Sequence, residues 1–512
     1  MTPLSRRLFA LCGLALSLSS VSILPAHSAP EGSLLIRGGL LLDGTGKPAR
    51  RADVRISGGR ITAVGSLKAV RGETIIEAKG RVVAPGFIDT HSHTDGGLLE
   101  SPTAESQIRQ GITTAIVGQD GGSNFPLAAW FGTVAAKKVA LNIASFVGHG
   151  TMRAKVMGDD NKRAATSAEI AKMEALVDQE MRAGALGLSS GLEYDPGLYA
   201  TTDEVVSLAR VAGRYGGLYI SHVRDEENEA LTSFRELIRI AREAKLPAQI
   251  SHIKLGSSPV WAKAGEVQRL LASARREGLD ITADVYPYTY WQSTITVIIP
   301  HRNWDDRKAW ETGLAEIGGP GNVLLTTYSL DPTWQGKTIA QIATLTGKDA
   351  VTVIQEIVAK THGEGVGVQN GRESVVVTAM KEADLKRFIA DPTIMFCTDG
   401  GIRSSHPRGA GSFPRILGKY VREEHVIPLP EAIRKMTSLP AKRMGLRDRG
   451  TVAVGKKADL VIFDPRQVRD TATTKDPRSA PIGLADVVVN GVPVLRGGRI
   501  TGARPGEILR RS

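Results

Sequence analysis

Gly86-Phe87-Ile88-Asp89-Thr90-His91-Ser92-His93-Thr94-Asp95 is a short apolar run that passes directly into polar residues, with two histidines two positions apart. Side chains alternate along an extended chain, so His91 and His93 leave the end of a strand on the same side. The texture recurs along the chain. Strand-like runs end at Asp89, Val117, Val147, Ser189, Ser221, Ser251, Val285 and Thr398, with helical patterns between them. Within residues 167–181, for example, Ile170, Met173, Val177 and Met181 share one face, and Thr166 with Glu169 predicts a capping box. Eight such units predict an α/β fold, a (β/α)8 barrel whose active site lies where the strands end.

Those ends are polar and suited to metal. Beyond His91 and His93 they read Gly118-Gln119-Asp120, Gly148-His149-Gly150, Ser221-His222, Ser251-His252 and Thr398-Asp399-Gly400. A lone histidine in such a place is ordinarily a hydrogen-bonded structural residue. Four of them, His91, His93, His222 and His252, with Asp120 and Asp399 at one barrel mouth, point instead to a metal centre. Imidazole and carboxylate suit zinc, with manganese, cobalt or iron as substitutes. Asp120 also admits a plainer reading, as the cap of a turn among glycines. His149 is expected to be structural, His406 to shape its loop, and Cys397 to be a small buried side chain. His301, His362 and His425 have no ligand-like context.

The rest of the chain frames this barrel. With 512 residues, 42% hydrophobic and 23% charged, its composition excludes disorder, collagen and coiled coil. The formal charge of +12 is dispersed rather than gathered in basic runs with aromatics, which argues against nucleic acid and leaves room for an anionic small substrate. Arg6 and Arg7, an apolar run to Leu24, and small residues at Ala26, Ser28 and Ala29 read as an export signal over residues 1–28. Ser5-Arg6-Arg7-Leu8-Phe9 matches the twin-arginine pattern, an alternative to ordinary secretion. A periplasmic or secreted protein without stable membrane anchoring is the expectation. Cys12 leaves with the signal and Cys397 stands alone, so no internal disulfide is expected. Short β-prone runs within residues 30–84 and 441–512 predict a small β-sandwich built from both chain ends around a barrel over 85–440. Between Tyr288 and Thr393 the chain is far longer than one crossover needs. Helical patterns at 305–314 and 340–344 mark an insertion, about 290–390, placed to cover the site as a lid.

The strings GFIDTHSHTD (86–95), VGHGTMR (147–153), SSGLEYDPGLYATTDE (189–204), ISHVRDE (220–226), QISHIKLG (249–256), DVYPYTY (284–290), HPRGAGSFPRILGKYVRE (406–423) and IRKMTSLPAKRMGL (433–446) occur in this order. Together they resemble the N-acyl-D-amino-acid deacylase (D-aminoacylase) family of the amidohydrolase superfamily, from about residue 33 to residue 508. The resemblance implies metal-dependent hydrolysis of the amide bond of N-acyl-D-amino acids, or of peptides with a D-residue, to a carboxylate and a D-amino acid. It implies His222 and His252 at a tightly held zinc, His91 and His93 at a second, weaker divalent ion, and Asp399 as the proton-shuttling base. It also implies Lys254 and Arg408, assisted by Tyr194 and Tyr286, as partners of the substrate α-carboxylate. The D-stereochemistry rests on the resemblance alone.

One departure stands out. Where the family has Gly-Asn-Cys-Gly, this chain has Gly118-Gln119-Asp120-Gly121. A carboxylate in place of thiolate can still ligate or bridge, but it is harder and should alter metal preference. The fourth strand end, Ala185 to Gly191, has no lysine for the carbamylated bridge of related enzymes, which disfavours a dihydroorotase or hydantoinase. Two alternatives are another amidohydrolase acting on cyclic amides or lactones, and a non-catalytic metal-binding relative. Retention of Asp399 argues against the second, since binding alone needs no base.

Overall fold

The computed structural model describes residues 33–299, 303–362 and 373–511. The export signal read over residues 1–28 lies outside them, as does His301. Eight strands form the barrel: Phe87–Asp89, Ile112–Val117, Asn142–Ser145 continued by Val147–Gly148, Gly187–Gly191, Leu218–His222, Ala248–Ile250, Ile281–Val285 and Ile394–Phe396. Neighbours pair in parallel around the set. The third strand kinks at Phe146, whose N–H still donates to the Val117 carbonyl at 3.0 Å while Leu186 N–H donates to that of Ser145 at 2.9 Å. The ring closes between its last and first strands. Asp399 N–H donates to the His91 carbonyl at 2.9 Å, His93 N–H to that of Gly400 at 3.0 Å, and the Thr398 hydroxyl to Asp89 at 2.6 Å.

Strands covered on both faces carry near-continuous apolar runs, and Ile112–Val117 and Ile281–Val285 are buried at every position. The surrounding helices follow the predicted pattern. Ser167–Arg182 starts on the Thr166–Glu169 capping box and buries Met173, Val177 and Met181, with Ile170 half-buried beside them.

Both chain ends build the second β unit. Its nine strands form one sheet, eight in a continuous path and Thr74–Glu77 paired beside Leu34–Leu41, and the seam is the antiparallel pair of Val82–Pro85 with Leu460–Phe463. Leu34, Ile36, Val54, Ile56, Leu460 and Ile462 pack together on its buried side. The insertion holds helices Arg307–Glu316 and Ile339–Thr346, where the helical patterns lie, and also a four-stranded antiparallel sheet. In that sheet Tyr290–Ser293 pairs with Glu373–Thr378, which pairs with Val323–Tyr328. A separate core around Trp310, Ile354 and Val375 supports it. Cys397 is buried and free, and among the described residues no helix is long and apolar enough to cross a membrane.

Candidate metal centre

Glycine backbones let the loop after the second barrel strand lie against its neighbours. A Cβ on Gly191 would stand 2.3 Å from the Asp120 carbonyl oxygen, and one on Gly148 2.4 Å from that of Gly121. This close approach carries Asp120 to the barrel mouth at φ 52°, and His252 and Asp399 also take positive φ, 34° and 49°. Residues with a Cβ seldom hold such a conformation, and its concentration at one place marks strain retained for function.

Asp120 stands between two histidine pairs. Its Oδ2 is 3.3 Å from His91 Nε2 and 3.2 Å from His93 Nε2, and its Oδ1 is 3.4 Å from His252 Nε2. Asp399 Oδ1 faces the first pair at 3.6 and 3.3 Å. On the other side His222 Nδ1 and His252 Nε2 are 3.1 Å apart. Two donor sets, one of His91, His93 and Asp399 and one of His222 and His252, therefore share Asp120, and within each set the donor atoms lie within 4.8 Å of one another. The Asp120 carboxylate thus faces three imidazoles.

Two acidic residues absent from the sequence reading complete the site. Glu193 Oε2 is 2.6 Å from His222 Nε2, and Glu226 Oε1 is 3.1 Å from His252 Nδ1. Glu193 lies two residues past the fourth strand and Glu226 four residues past His222. Each sits in a run of polar residues that reads as solvated loop, so the only signal was proximity to a strand end.

The electrostatics call for a cation. Burial disfavours charge on His93, yet hydrogen bonds to Asp120 and Asp399 raise it to about 10. Burial and Lys254 likewise oppose charge on His252, but Asp399, Glu226 and Asp120 bring it to about 10. Against burial, the facing His91 and hydrogen bonds with His252, His91 and His93 hold Asp120 well below the usual carboxylate range, and Arg408 and His252 do the same for Asp399. His222 goes the other way, lowered to about 4 mainly by burial, so it is neutral at pH 7 with a lone pair to donate. Carboxylates that hold protons on imidazoles so strongly will favour a divalent ion that displaces them. Nitrogen and oxygen donors in this number fit zinc.

Beside the donors is a cleft of about 110 Å³. His93, Asp120, Tyr194, His222, His252, Lys254, Asp399 and Arg408 line it, together with Trp291, Gln292, Ser293 and Val297 from the insertion. His91 and Tyr286 lie behind this lining. Lys254 Nζ is 2.5 Å from Glu226 Oε2 and 2.6 Å from His252 Nδ1, and Arg408 Nη1 is 2.5 Å from Asp399 Oδ2. Arg408 stacks over the Tyr286 ring at 4.9 Å, with its Nε and the Tyr286 hydroxyl buried and unpartnered. The Tyr194 ring lies 4.3 Å from that of His222. Other histidines stay apart, as expected. His149 pairs with Glu204 at 2.9 Å, His362 with Glu373 at 2.9 Å, and His406 bonds the Tyr290 carbonyl and the Arg408 N–H.

A family model described as "Amidohydrolase family" matches residues 74–495. The D-aminoacylase of Alcaligenes xylosoxydans xylosoxydans is 35% identical over 504 residues, 94% of this chain and 98% of that protein. The N-acyl-D-glutamate deacylase of the same organism is 36% identical, covering 93% and 96%. Among solved structures, the N-acyl-D-glutamate deacylase of Bordetella bronchiseptica, complexed with zinc and a phosphonate mimic of the tetrahedral intermediate, superposes with a TM-score of 0.83 at 33% identity, covering 93% of this chain and 99% of that one.

Proposed function

The chain belongs to the amidohydrolase family, and on that premise we propose that it is a zinc-dependent deacylase that hydrolyses the amide bond of N-acyl-D-amino acids to a carboxylate and a free D-amino acid. The observation that carries this reading is the Asp120 carboxylate set between His91 and His93 on one side and His252 on the other. His222, His252 and Asp120 would hold the tight zinc, and His91 and His93 a weaker second ion. Zinc, when bound, supplies a Lewis acid for the amide carbonyl and lowers the pKa of water toward neutrality.

The chain supplies the rest. Asp399 accepts the proton of the attacking water and passes it to the leaving nitrogen. Arg408 holds Asp399 ionised, and its unpartnered Nε edge is left for the substrate carboxylate, a fork that lysine cannot offer. Lys254 and the Tyr194 hydroxyl supply further donors, and Tyr286 backs the Arg408 guanidinium. Trp291, Gln292, Ser293 and Val297 meet the acyl or side-chain part of the substrate and limit water at the reacting centre.

Two expected results follow from these roles. Paired N-acetyl-D and N-acetyl-L forms of one neutral amino acid, given to purified, metal-analysed protein, should release free amino acid from the D form alone; equal rates contradict the reading. Arg408→Ala should lower kcat for every substrate, because Asp399 loses its cation, and should in addition raise KM for substrates with a free α-carboxylate. Charge-assisted hydrogen bonds of this kind are worth about 1.5–3 kcal/mol, or roughly 10- to 100-fold. An equal rise in KM with the corresponding esters would place carboxylate recognition elsewhere.

A further inference from the structure

The opposite end of the barrel holds a second cavity, of about 490 Å³. It opens where strands begin: Leu218, Ile281 and Thr282 line it from the first residues of their strands, and Pro247 and Thr393 from the residues just before. Strand Ile281–Val285 separates it from the Tyr286 side of the cleft, about 17 Å at some 3.3 Å per residue.

Its charge is one-sided. Arg275, Arg434, Lys442, Arg443 and Arg511 line it against the single carboxylate of Asp280. Arg434 is paired with Glu431 at 2.6 Å and Arg443 with Asp280 at 2.9 Å. Arg275 donates to the Ile281 carbonyl at 3.2 Å. Among the described residues Arg275, Lys442 and Arg511 have no carboxylate partner. Two guanidinium donors are also buried and unpartnered, Arg511 Nη1 and the Nε of Arg443, whose side chain is 6% exposed. A buried donor without an acceptor is costly, and here two of them belong to a group of like charges. Burial lowers the pKa of both arginines, with a further push on Arg443 from Arg511 and on Arg511 from Arg447.

We propose that this cavity binds a small organic phosphate, its anionic group held by Arg443, Arg511 and Lys442 and its apolar body laid against Pro247, Pro392 and Leu439. A phosphate brings two negative charges and three acceptor oxygens, which suit guanidinium forks and the surplus of unpaired cations better than a single carboxylate does. The volume lies in the range of small-ligand pockets, about 300–1,000 Å³. The substrate cleft is at the other end of the strands, so this site does not depend on the deacylase reading.

Calorimetric titration of the zinc-loaded full chain with adenosine monophosphate and with orthophosphate, at constant ionic strength, tests it. The expected result is one saturable site per chain, with adenosine monophosphate at least tenfold tighter than orthophosphate. Lys442→Gln and Arg511→Gln should each weaken binding at least tenfold. These two carry the test because Arg443 also bonds the Ala248 carbonyl and its loss could unsettle the fold. Heat that never saturates, equal affinity for the two probes, or affinity unchanged in both variants, as capture by the zinc at the other end would give, overturns the proposal.

Discussion

Asp399→Asn should keep the fold and the tight metal while lowering kcat by about 10²–10⁴-fold, the usual worth of a positioned acid–base group. Asparagine has nearly the same shape and leaves an oxygen to face His91 and His93, but it cannot take up the water proton at neutral pH. The same replacement removes the charge that Arg408 faces at 2.5 Å. A melting curve on the same sample therefore accompanies the kinetics, so that a loss of folded protein is not read as a loss of chemistry. Zinc content by elemental analysis completes the comparison. Turnover equal to that of the unaltered enzyme, with zinc intact, would remove Asp399 as the base.

The second large effect concerns metal. His222→Ala with His252→Ala takes away the two imidazole nitrogens that lie 3.1 Å apart beside Asp120 Oδ1. Zinc content should fall from about one tightly held ion per chain to near none, and deacylation should fall below detection, since a three-ligand site does not survive the loss of two. His91→Ala should lower only the second, weaker occupancy. An unchanged zinc stoichiometry in the His222 and His252 double variant would place the tight ion elsewhere.

How far the residues could be read in advance depends on how local their signals are. The barrel was legible because a strand buried on both faces is an apolar run, and most of these runs give way within a few residues to polar side chains at the mouth. His91, His93, His222, His252, Asp120 and Asp399 were found by that rule, and the structure brings all six together. Glu193 and Glu226 escaped it because they sit on the turns beyond the strands, among Tyr194 and Asp195 or Asp225 and Glu227, where a carboxylate reads as solvated. What gives them a place is contact with His222 and His252 from other strands, a relation no single segment carries.

The insertion shows the same limit. Two of its helices, Arg307–Glu316 and Ile339–Thr346, were read from local patterns and Ala350–His362 was not, while the pairing of Tyr290–Ser293 with Glu373–Thr378 joins residues some eighty positions apart and has no local signature. Arg408 is a subtler case. Its place at the mouth was foreseen, but its pairing with Asp399 was not, because the eight residues between them fold back in a loop whose course is set by His406.

The most direct measurement is deacylation of an N-acetyl-D-amino acid by chelator-stripped protein as zinc is added back, for the unaltered chain and for Asp120→Ala in parallel. If Asp120 bridges the two histidine pairs, activity in the unaltered chain should return and saturate near about one zinc per chain. Asp120→Ala should need roughly 10- to 100-fold more free zinc, at least the loss seen when even a supporting partner of a metal ligand is removed. Turnover that does not respond to zinc, or identical zinc curves for the two proteins, would contradict a catalytic zinc held by Asp120.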